Sequence, residues 1–169
     1  MNAENKLKVA IATLLILGMS ASSAMAAATT GTAEASVEEQ ISISISKELR
    51  FGELLQDNFG GTVTLKPGPS NNTTFSGVKP VIGSQFGSQS ALFIVSGDAN
   101  RAFTTTVDPS VDLTGPDGSA PMNATLTNAS DGVLDAFQNA NVFIGGTLTV
   151  GGNQTIGAYT GTYNVTVDY

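Results

Sequence analysis

Apolar and polar residues alternate strictly in several short stretches of this chain. The clearest stretch runs from Ile41 to Ser46 as Ile-Ser-Ile-Ser-Ile-Ser, and the same phase continues to Leu49 and Phe51. A period of two places successive side chains on opposite faces of an extended strand, whereas an amphipathic helix has a period of about 3.6. The pattern therefore predicts a half-buried strand that begins near residue 41.

Further short stretches predict more strands separated by turns. Residues 91–95 are apolar at every position, which is typical of a strand covered on both faces, and residues 101–107 are predicted to form its hairpin partner. Residues 108–121 are rich in Pro, Gly, Asp and Ser and predict a loop. The other predicted strands comprise residues 61–65, 73–81, 122–126, 142–144, 147–150 and 159–169.

The number and spacing of these stretches predict the fold class. About eight short strands with turn signals between them favour an all-β fold, an antiparallel β-sandwich or a small barrel. Gly145-Gly146, between two predicted strands, is expected to form a β-bulge. Helical periodicity is weak, and a single helical turn is predicted near residues 131–137.

The first 26 residues have the layout of a secretory signal peptide. Lys6 and Lys8 precede an apolar run over residues 9–17, and Ala24-Met25-Ala26 fits an A-x-A cleavage site. The apolar run is too short to cross a bilayer comfortably, because a spanning helix needs about 20 apolar residues. We therefore predict export through the inner membrane to the periplasm and then to the cell surface or the extracellular space, with no stable membrane span after cleavage.

Composition and charge narrow the classes of function. The 169-residue chain contains no Cys, His or Trp, and leaving out Glu4, Lys6 and Lys8 reduces its 14 acidic and 7 basic residues to 13 and 5, a net charge of −8. Such a surface argues against binding to nucleic acid or to anionic membranes. Without His and Cys, the imidazole base, the thiolate nucleophile and the usual transition-metal ligands are missing. We expect neither an enzyme nor a cofactor or metal site.

An arm with its own alternating pattern precedes the first predicted strand. In residues 27–40, which are mostly small or polar, Ala33, Ala35 and Val37 share one phase that can extend to Ile41. The predicted organisation is thus a signal peptide (1–26), an N-terminal arm (27–40) and a β-sandwich domain (41–169). The pattern leaves open whether residues 41–45 belong to the arm or to the first strand of the domain.

All three tyrosines lie in the last eleven residues. In an extended strand, Tyr159, Tyr163 and Tyr169 share one face with Val165 and Val167. The terminal strand is therefore predicted to present a row of large side chains on one face and to end in an aromatic residue.

The arm and the terminal strand together are typical of fibre subunits assembled by donor-strand complementation. Such a subunit is an immunoglobulin-like sandwich of about 7–8 strands that lacks its final strand, and the arm of the next subunit fills the groove. On this hypothesis a periplasmic chaperone binds the terminal strand before head-to-tail polymerisation. The predicted function is a structural subunit of a secreted surface fibre or coat, with adhesion or biofilm formation as its role. The donor residues would be Ala33, Ala35, Val37 and Ile41, and the groove residues Tyr159, Tyr163, Val165, Val167 and Tyr169.

Two other classes of protein are compatible with the pattern. A self-complete secreted β-sandwich could bind a carbohydrate or protein ligand, although sugars usually stack on exposed Trp or Tyr and these tyrosines share a face with valines. A small outer-membrane β-barrel could also end in an aromatic residue. Such barrels carry aromatic girdles at both interfaces, whereas aromatic residues make up 7% of this chain.

Several motifs in fixed order resemble a known family. The motifs are Leu49-Arg50-Phe51-Gly52, Gly60-Gly61-Thr62-Val63-Thr64-Leu65, the stretch 142–150 and the C-terminal stretch Gly157-Ala158-Tyr159-Thr160-Gly161-Thr162-Tyr163-Asn164-Val165-Thr166-Val167-Asp168-Tyr169. Together they resemble the motifs of a family of secreted bacterial proteins that is described only as a domain of unknown function. That family is similar in appearance to chaperone–usher pilins, including the spore-coat-U-like branch. The resemblance implies a pilin-like fold and names no activity.

One polar loop invites a test for calcium. Asp108, Asp112 and Asp117 lie among glycines, and calcium needs six to eight oxygen ligands. The spacing does not match an EF-hand loop, and solvated turn residues are the favoured interpretation. Calcium binding in residues 108–118 remains a question for the structure.

Overall fold

The structure is a computed structural model that describes residues 26–55, 57–70, 72–84 and 86–169. The chain divides into two units, Met1–Ser36 and Val37–Tyr169. Apart from Ala26, the predicted signal peptide lies outside the described residues. Residues 26–36 form no helix or strand, and their side chains are exposed.

The second unit contains eleven antiparallel strands, and no helix occurs among the described residues. The all-β antiparallel prediction is therefore confirmed. No described segment could cross a membrane as a helix. The strands are β1 (Ser42–Lys47), β2 (Leu54–Leu55), β3 (Gly61–Leu65), β4 (Thr73–Ser76), β5 (Lys79–Pro80), β6 (Ala91–Ser96), β7 (Thr104–Val107), β8 (Ser110–Leu113), β9 (Met122–Ser130), β10 (Asn139–Val150) and β11 (Val165–Asp168).

Strand β10 organises the main seven-stranded sheet. One of its edges pairs with β9, while the other pairs first with β6 and then with β3. Strand β1 continues the sheet beyond β6, β4 beyond β3, and β8 beyond β9. Two smaller sheets pair β11 with β7 and β2 with β5.

The change of partner along β10 occurs at Gly145-Gly146. Ile144 is opposite Ala91 of β6, and Gly146 is opposite Leu65 of β3. A Cβ atom at Gly145 would overlap the backbone around Leu65 and Pro67, so a side chain has no room there. The register against β9 runs unbroken from Val142 to Leu148. The predicted bulge is therefore wrong: the glycines lie within one continuous strand, where the sheet divides.

The hydrophobic core lies along β3, β6, β9 and β10. Its most deeply buried side chains include Leu65, Val63, Val95, Val142, Ile144 and Leu134. The predicted strands at 61–65, 91–95 and 122–126 are confirmed, because their apolar residues supply much of this core.

Three further predictions are wrong. Residues 101–107 do not form a hairpin with β6, because the hairpin position beside β6 is taken by β1 and β10, and β7 pairs with β11. The predicted loop at 108–121 contains β8, which pairs with β9. Val111 and Leu113 alternate with polar residues along β8. Residues 131–137 form turns and an isolated bridge rather than a helical turn.

The strands of the main sheet extend between two ends of the second unit. At the root end, β1 and β10 begin and β6 and β9 finish. At the far end, β10 finishes beside the start of β3 and the end of β4. Strand β1 therefore runs away from the root end. The C-terminal segment returns to it, because Tyr169 lies beside Gly97, directly after β6.

Candidate interaction groove

Strands β1 and β11 lie next to each other without pairing. Among the described strands, β1 pairs with β6 and β11 with β7, and no ladder joins β1 to β11 although their Cα atoms come within 8 Å. Each strand therefore has an edge whose N–H and C=O groups are not used by a neighbouring strand. Such an edge can bind an added strand.

An apolar groove lies between β1 and the segment that leads into β11. It has a volume of about 320 Å³ and is lined by Ile43, Ile45, Glu48, Phe93, Gly161, Thr162 and Tyr163. Ile43 and Phe93 are half-buried, and Ile45 is 48% exposed. The alternation of β1 explains this arrangement, because Ile43 and Ile45 project to the same face while the serines face away. We call this site the β1–β11 groove.

Tyr163, one of the residues that line the groove, carries a buried polar atom. Its hydroxyl is shielded from solvent and has no hydrogen-bond partner among the described residues. Burial, and secondarily the negative charge of Glu48, raises the pKa of Tyr163 to about 12. A buried hydroxyl without a partner is unfavourable by about 1–3 kcal/mol.

Tyr169 is held firmly at the root end. Its hydroxyl accepts a hydrogen bond from the Asp98 backbone N–H at 2.7 Å, and the Arg101 guanidinium lies 4.0 Å from its ring centroid. A Cβ atom at Gly97 would overlap the tyrosine hydroxyl, so the absence of a side chain there lets the ring approach. Arg101 also forms ion pairs with Asp98 and Glu38.

The start of the domain is attached to the same cluster. The Glu39 backbone N–H donates to Asp98 Oδ1 at 3.0 Å, and the Gln138 side chain donates to Glu39 at 3.2 Å. With the Glu38–Arg101 pair, these contacts fix residues 38–39 beside Tyr169. We call residues 38–39 the arm root.

The predicted donor residues divide at the arm root. Ala33 and Ala35 are exposed in the segment before it, and Val37 is 98% exposed. Ile41 is half-buried and packs against the core of the domain. Since β1 begins at Ser42 and pairs with β6, the structure places residues 41–45 in the domain's own first strand.

The predicted groove residues share one face but contact different regions. Tyr159, Tyr163, Val165, Val167 and Tyr169 are all partly buried against the core, and the residues between them are exposed. Only Val165 and Val167 lie within β11, which is shorter than the predicted strand.

Tyr159 lies apart from the groove. Its ring packs on Gly115, and its hydroxyl donates to the Thr155 carbonyl at 2.9 Å. Within the described chain, Tyr163 is the tyrosine that lines the β1–β11 groove.

Sequence reasoning missed three residues that shape this region. Phe93 lies in the wholly apolar stretch 91–95, so alternation could not tell which of its faces meets the groove. Glu48 and Arg101 are isolated charges in the sequence, and no local pattern predicts their contacts across the fold. The sequence contains only 7 basic residues, and this scarcity is the signal that could have drawn attention to Arg101.

Two of the three aspartates in residues 108–118 accept structural hydrogen bonds. Asp108 accepts from the backbone and side-chain N–H groups of Asn164 at 2.8 and 3.0 Å. Asp112 accepts from the side chain of Asn123 at 2.7 Å. The described residues contain no group of three acidic side chains arranged to hold a metal ion.

A second cleft, of about 220 Å³, lies beside β2 and β5. Phe75, Val81 and Phe86 contribute its apolar lining, and Glu53 its charge. The Arg50 guanidinium lies 5.8 Å from the Phe86 ring.

Comparison with known proteins identifies the family. A family profile described as "Domain of unknown function (DUF4402)" matches residues 41–169. The chain belongs to this family. The match begins at Ile41, the first residue of the domain that packs against its core. No curated protein and no solved structure matches the chain.

Proposed function

We propose that this DUF4402 protein is a structural subunit of a secreted surface fibre or coat, in which the arm of one copy occupies the β1–β11 groove of the next. One observation carries the proposal: the unpaired edges of β1 and β11 lie near an apolar groove lined by Tyr163, whose buried hydroxyl has no hydrogen-bond partner among the described residues. A bound strand would use all three features. Its backbone would pair with the edges, its apolar side chains would fill the groove, and a carbonyl would accept from Tyr163.

The arm has the chemistry that this groove requires. Ala33, Ala35 and Val37 would face inward in an extended segment, with Glu34 and Ser36 facing solvent. Paired strands lie about 4.8 Å apart, so a strand inserted between β1 and β11 would need them about 9.6 Å apart. Cα atoms of the two strands lie within 8 Å of each other, so the proposal requires β1 and β11 to move apart when the arm enters.

The finer architecture and the partners belong to the same proposal. The domain acts as an immunoglobulin-like sandwich that the arm of a second copy completes. A periplasmic chaperone holds β11 and the groove after export and before assembly, which prevents premature pairing of the free edges. The assembled chain lies at the cell surface or outside the cell, performs no catalysis and serves adhesion or biofilm formation.

The test is the behaviour of the exported full-length protein on an unheated denaturing gel. Donor-strand polymers are expected to run as a ladder that collapses to one band on heating. Deletion of residues 27–37 is expected to abolish the ladder while the domain still folds, as judged by circular dichroism. A single monomer band from the unaltered protein would contradict the proposal and favour a self-complete β-sandwich that binds a carbohydrate or protein ligand.

Two point variants make the test specific for the alternating face. Ala35→Asp would bury a charge in the groove, which is strongly unfavourable without a partner, and is expected to remove most of the ladder. Ser36→Asp introduces the same charge on the solvent face and is expected to leave the ladder intact. Equal effects of the two substitutions would show that the arm does not bind as an alternating strand.

A further inference from the structure

The sequence contains two Asp-Gly pairs, Asp117-Gly118 and Asp131-Gly132. Such a pair can modify its own backbone, because the glycine nitrogen can attack the aspartate carboxyl group and no Cβ on the glycine obstructs the approach. The product is a five-membered succinimide ring, which water opens to aspartate or to isoaspartate. The reaction requires the fold to let the two groups meet, so the two pairs can be compared within one chain.

Asp117 and Gly118 form the tip of a turn between β8 and β9. The Ser119 N–H donates to the Pro116 carbonyl at 3.0 Å, and Gly118 has a φ of 77°. These features match a type II turn, which requires a positive φ at its third residue. Both tip residues are exposed. Neither the Asp117 carboxylate nor the Gly118 N–H has a hydrogen-bond partner among the described residues, so the peptide between them is free to turn towards the carboxyl group.

The second pair is held on both sides of its peptide bond. The Asp131 N–H donates to the Asn141 carbonyl at 3.1 Å, and Asp131 Oδ2 accepts from the Asn141 N–H at 2.7 Å. The Gly132 N–H donates to Ser130 Oγ at 3.2 Å, and the Gly132 carbonyl accepts from the Phe103 N–H at 3.0 Å. Ring closure would have to break several of these bonds, because it moves both the carboxyl group and the glycine nitrogen.

The segments on either side of the first turn are attached to the domain. The Tyr159 ring packs on Gly115, and the Ala120 carbonyl accepts a hydrogen bond from the Gln154 side chain. Isoaspartate routes the main chain through the side-chain carbons and lengthens it by one atom. An exposed turn that is anchored on both sides can accept this change while the core stays as it is.

We propose that Asp117 is a site of spontaneous backbone modification, at which the exported protein converts with age to isoaspartate, and that the fold protects Asp131 from the same reaction. The inference goes beyond the proposed function and does not depend on assembly. Its chemistry uses only the chain and solvent water, and no electrons are transferred.

The modification has two steps. In the first, the Gly118 nitrogen forms a bond to Asp117 Cγ, and the hydroxyl of the protonated carboxyl group leaves with the nitrogen's proton as water. In the second, water adds to one of the two ring carbonyls. Addition at Cγ breaks the new bond and restores aspartate. Addition at the Asp117 backbone carbonyl carbon breaks the original peptide bond and leaves the chain connected through Cγ.

Heavy-oxygen water tests the proposal on the full-length protein. Each passage through the succinimide leaves one heavy oxygen at the aspartate during incubation in mildly acidic buffer. Chymotrypsin digestion in ordinary water then places the two sites in separate peptides, because Met122 and Leu126 lie between them. We expect about tenfold or more label at Asp117 than at Asp131, since the hydrogen bonds at Asp131 must open first. The peptide that contains Asp117 should also separate into two chromatographic forms of equal mass.

Two variants and an unfolded sample serve as controls. Asp117→Glu keeps the charge but would have to close a less favourable six-membered ring, and it should lose the label at this position. Ser130→Ala removes the acceptor of the Gly132 N–H and should raise the label at Asp131. Unfolding in urea should bring the two sites close to equal labelling, because both are then followed by an unrestrained glycine.

Two results would overturn the inference. One is equal labelling of Asp117 and Asp131 in the folded protein. The other is labelling of the folded protein at Asp117 that does not exceed that of Asp117→Glu. Both measurements are made on a single folded chain, whereas the fibre proposal is tested by the unheated ladder, so failure of one leaves the other standing.

Discussion

Strands β10 and β1 belong to one sheet but have opposite relations to it. Both edges of β10 are paired, and its inward side chains Val142 and Ile144 are fully buried. Strand β1 has one paired edge, and Ile45 remains 48% exposed. The centre of this sheet therefore supplies stability, whereas its margin keeps backbone and apolar surface accessible.

The centre is least tolerant at the point where the sheet divides. Gly145→Val would force a side chain into the backbone around Leu65 and Pro67, and we expect it to lower the free energy of unfolding by more than about 4 kcal/mol. Urea unfolding followed by circular dichroism measures the loss. Gly87→Ala is the control, since a Cβ there meets nothing within 4 Å. Similar stabilities of the two variants would contradict the assigned crowding.

Truncation of an isoleucine to alanine should reduce stability by different amounts in the two strands. Ile144→Ala in β10 is expected to cost about 2–5 kcal/mol, and Ile45→Ala in β1 less than about 1 kcal/mol, because the exposed side chain leaves a smaller cavity. The effect on assembly should have the opposite order. Ile45 lines the β1–β11 groove, so Ile45→Ala should weaken the unheated ladder more than Ile144→Ala does. Equal losses of stability would remove the distinction between centre and margin.

The arm root links the margin to the C-terminus. Arg101→Gln removes the ion pairs with Glu38 and Asp98 and the cation–π contact with Tyr169. We expect a loss of about 1 kcal/mol, measured as a lower midpoint of thermal unfolding. Limited proteolysis should also extend past residue 37 into residues 38–41. Arg50→Gln, whose guanidinium lies over an exposed Phe86 ring, should change neither; an equal effect would argue against a specific role for Arg101.

The smallest effect is confined to alkaline pH. Tyr163 has its pKa raised from 10.0 to about 12 by burial in the folded state, so the unfolded chain loses this proton first. Stability from this group is therefore constant below pH 10 and falls as pH rises from 10 to about 12. Tyr163→Phe should lack this component of the fall, while at pH 7 it should be as stable as the unaltered protein or slightly more stable, because it removes an unpartnered hydroxyl. Identical profiles from pH 9 to 12 would contradict the assignment.

The elements that could be predicted from sequence are those with a local pattern. The Ile-Ser repeat of β1, the apolar stretch of β6 and the inward face from Tyr159 to Tyr169 all follow from a period of two. Strand partners were not predictable, because pairing depends on contacts far apart in the chain. Residues 101–107 illustrate this: their pattern suited a strand, but their partner is β11 at the other end of the sequence.

Long-range contacts also explain what was missed at the candidate site. Of the residues on the predicted alternating face, Tyr163 lines the groove, and Glu48 and Phe93 from two other parts of the chain complete it. Two adjacent glycines are also found in bulges. Here they lie where β6 and β3 pair with successive parts of β10, and this arrangement cannot be read from the local sequence. The hydrogen bonds of Asp108 likewise depend on Asn164, 56 residues away.

The orientation of β1 has a mechanical consequence. The arm joins the domain at the root end. From there β1 runs towards the far end, antiparallel to β6. In a head-to-tail fibre under tension, the load would enter along the strand axis, so the β1–β6 ladder would be sheared rather than peeled. Hydrogen bonds loaded in shear resist together, whereas bonds that are peeled break in succession. A domain of modest thermodynamic stability could therefore withstand a large pulling force.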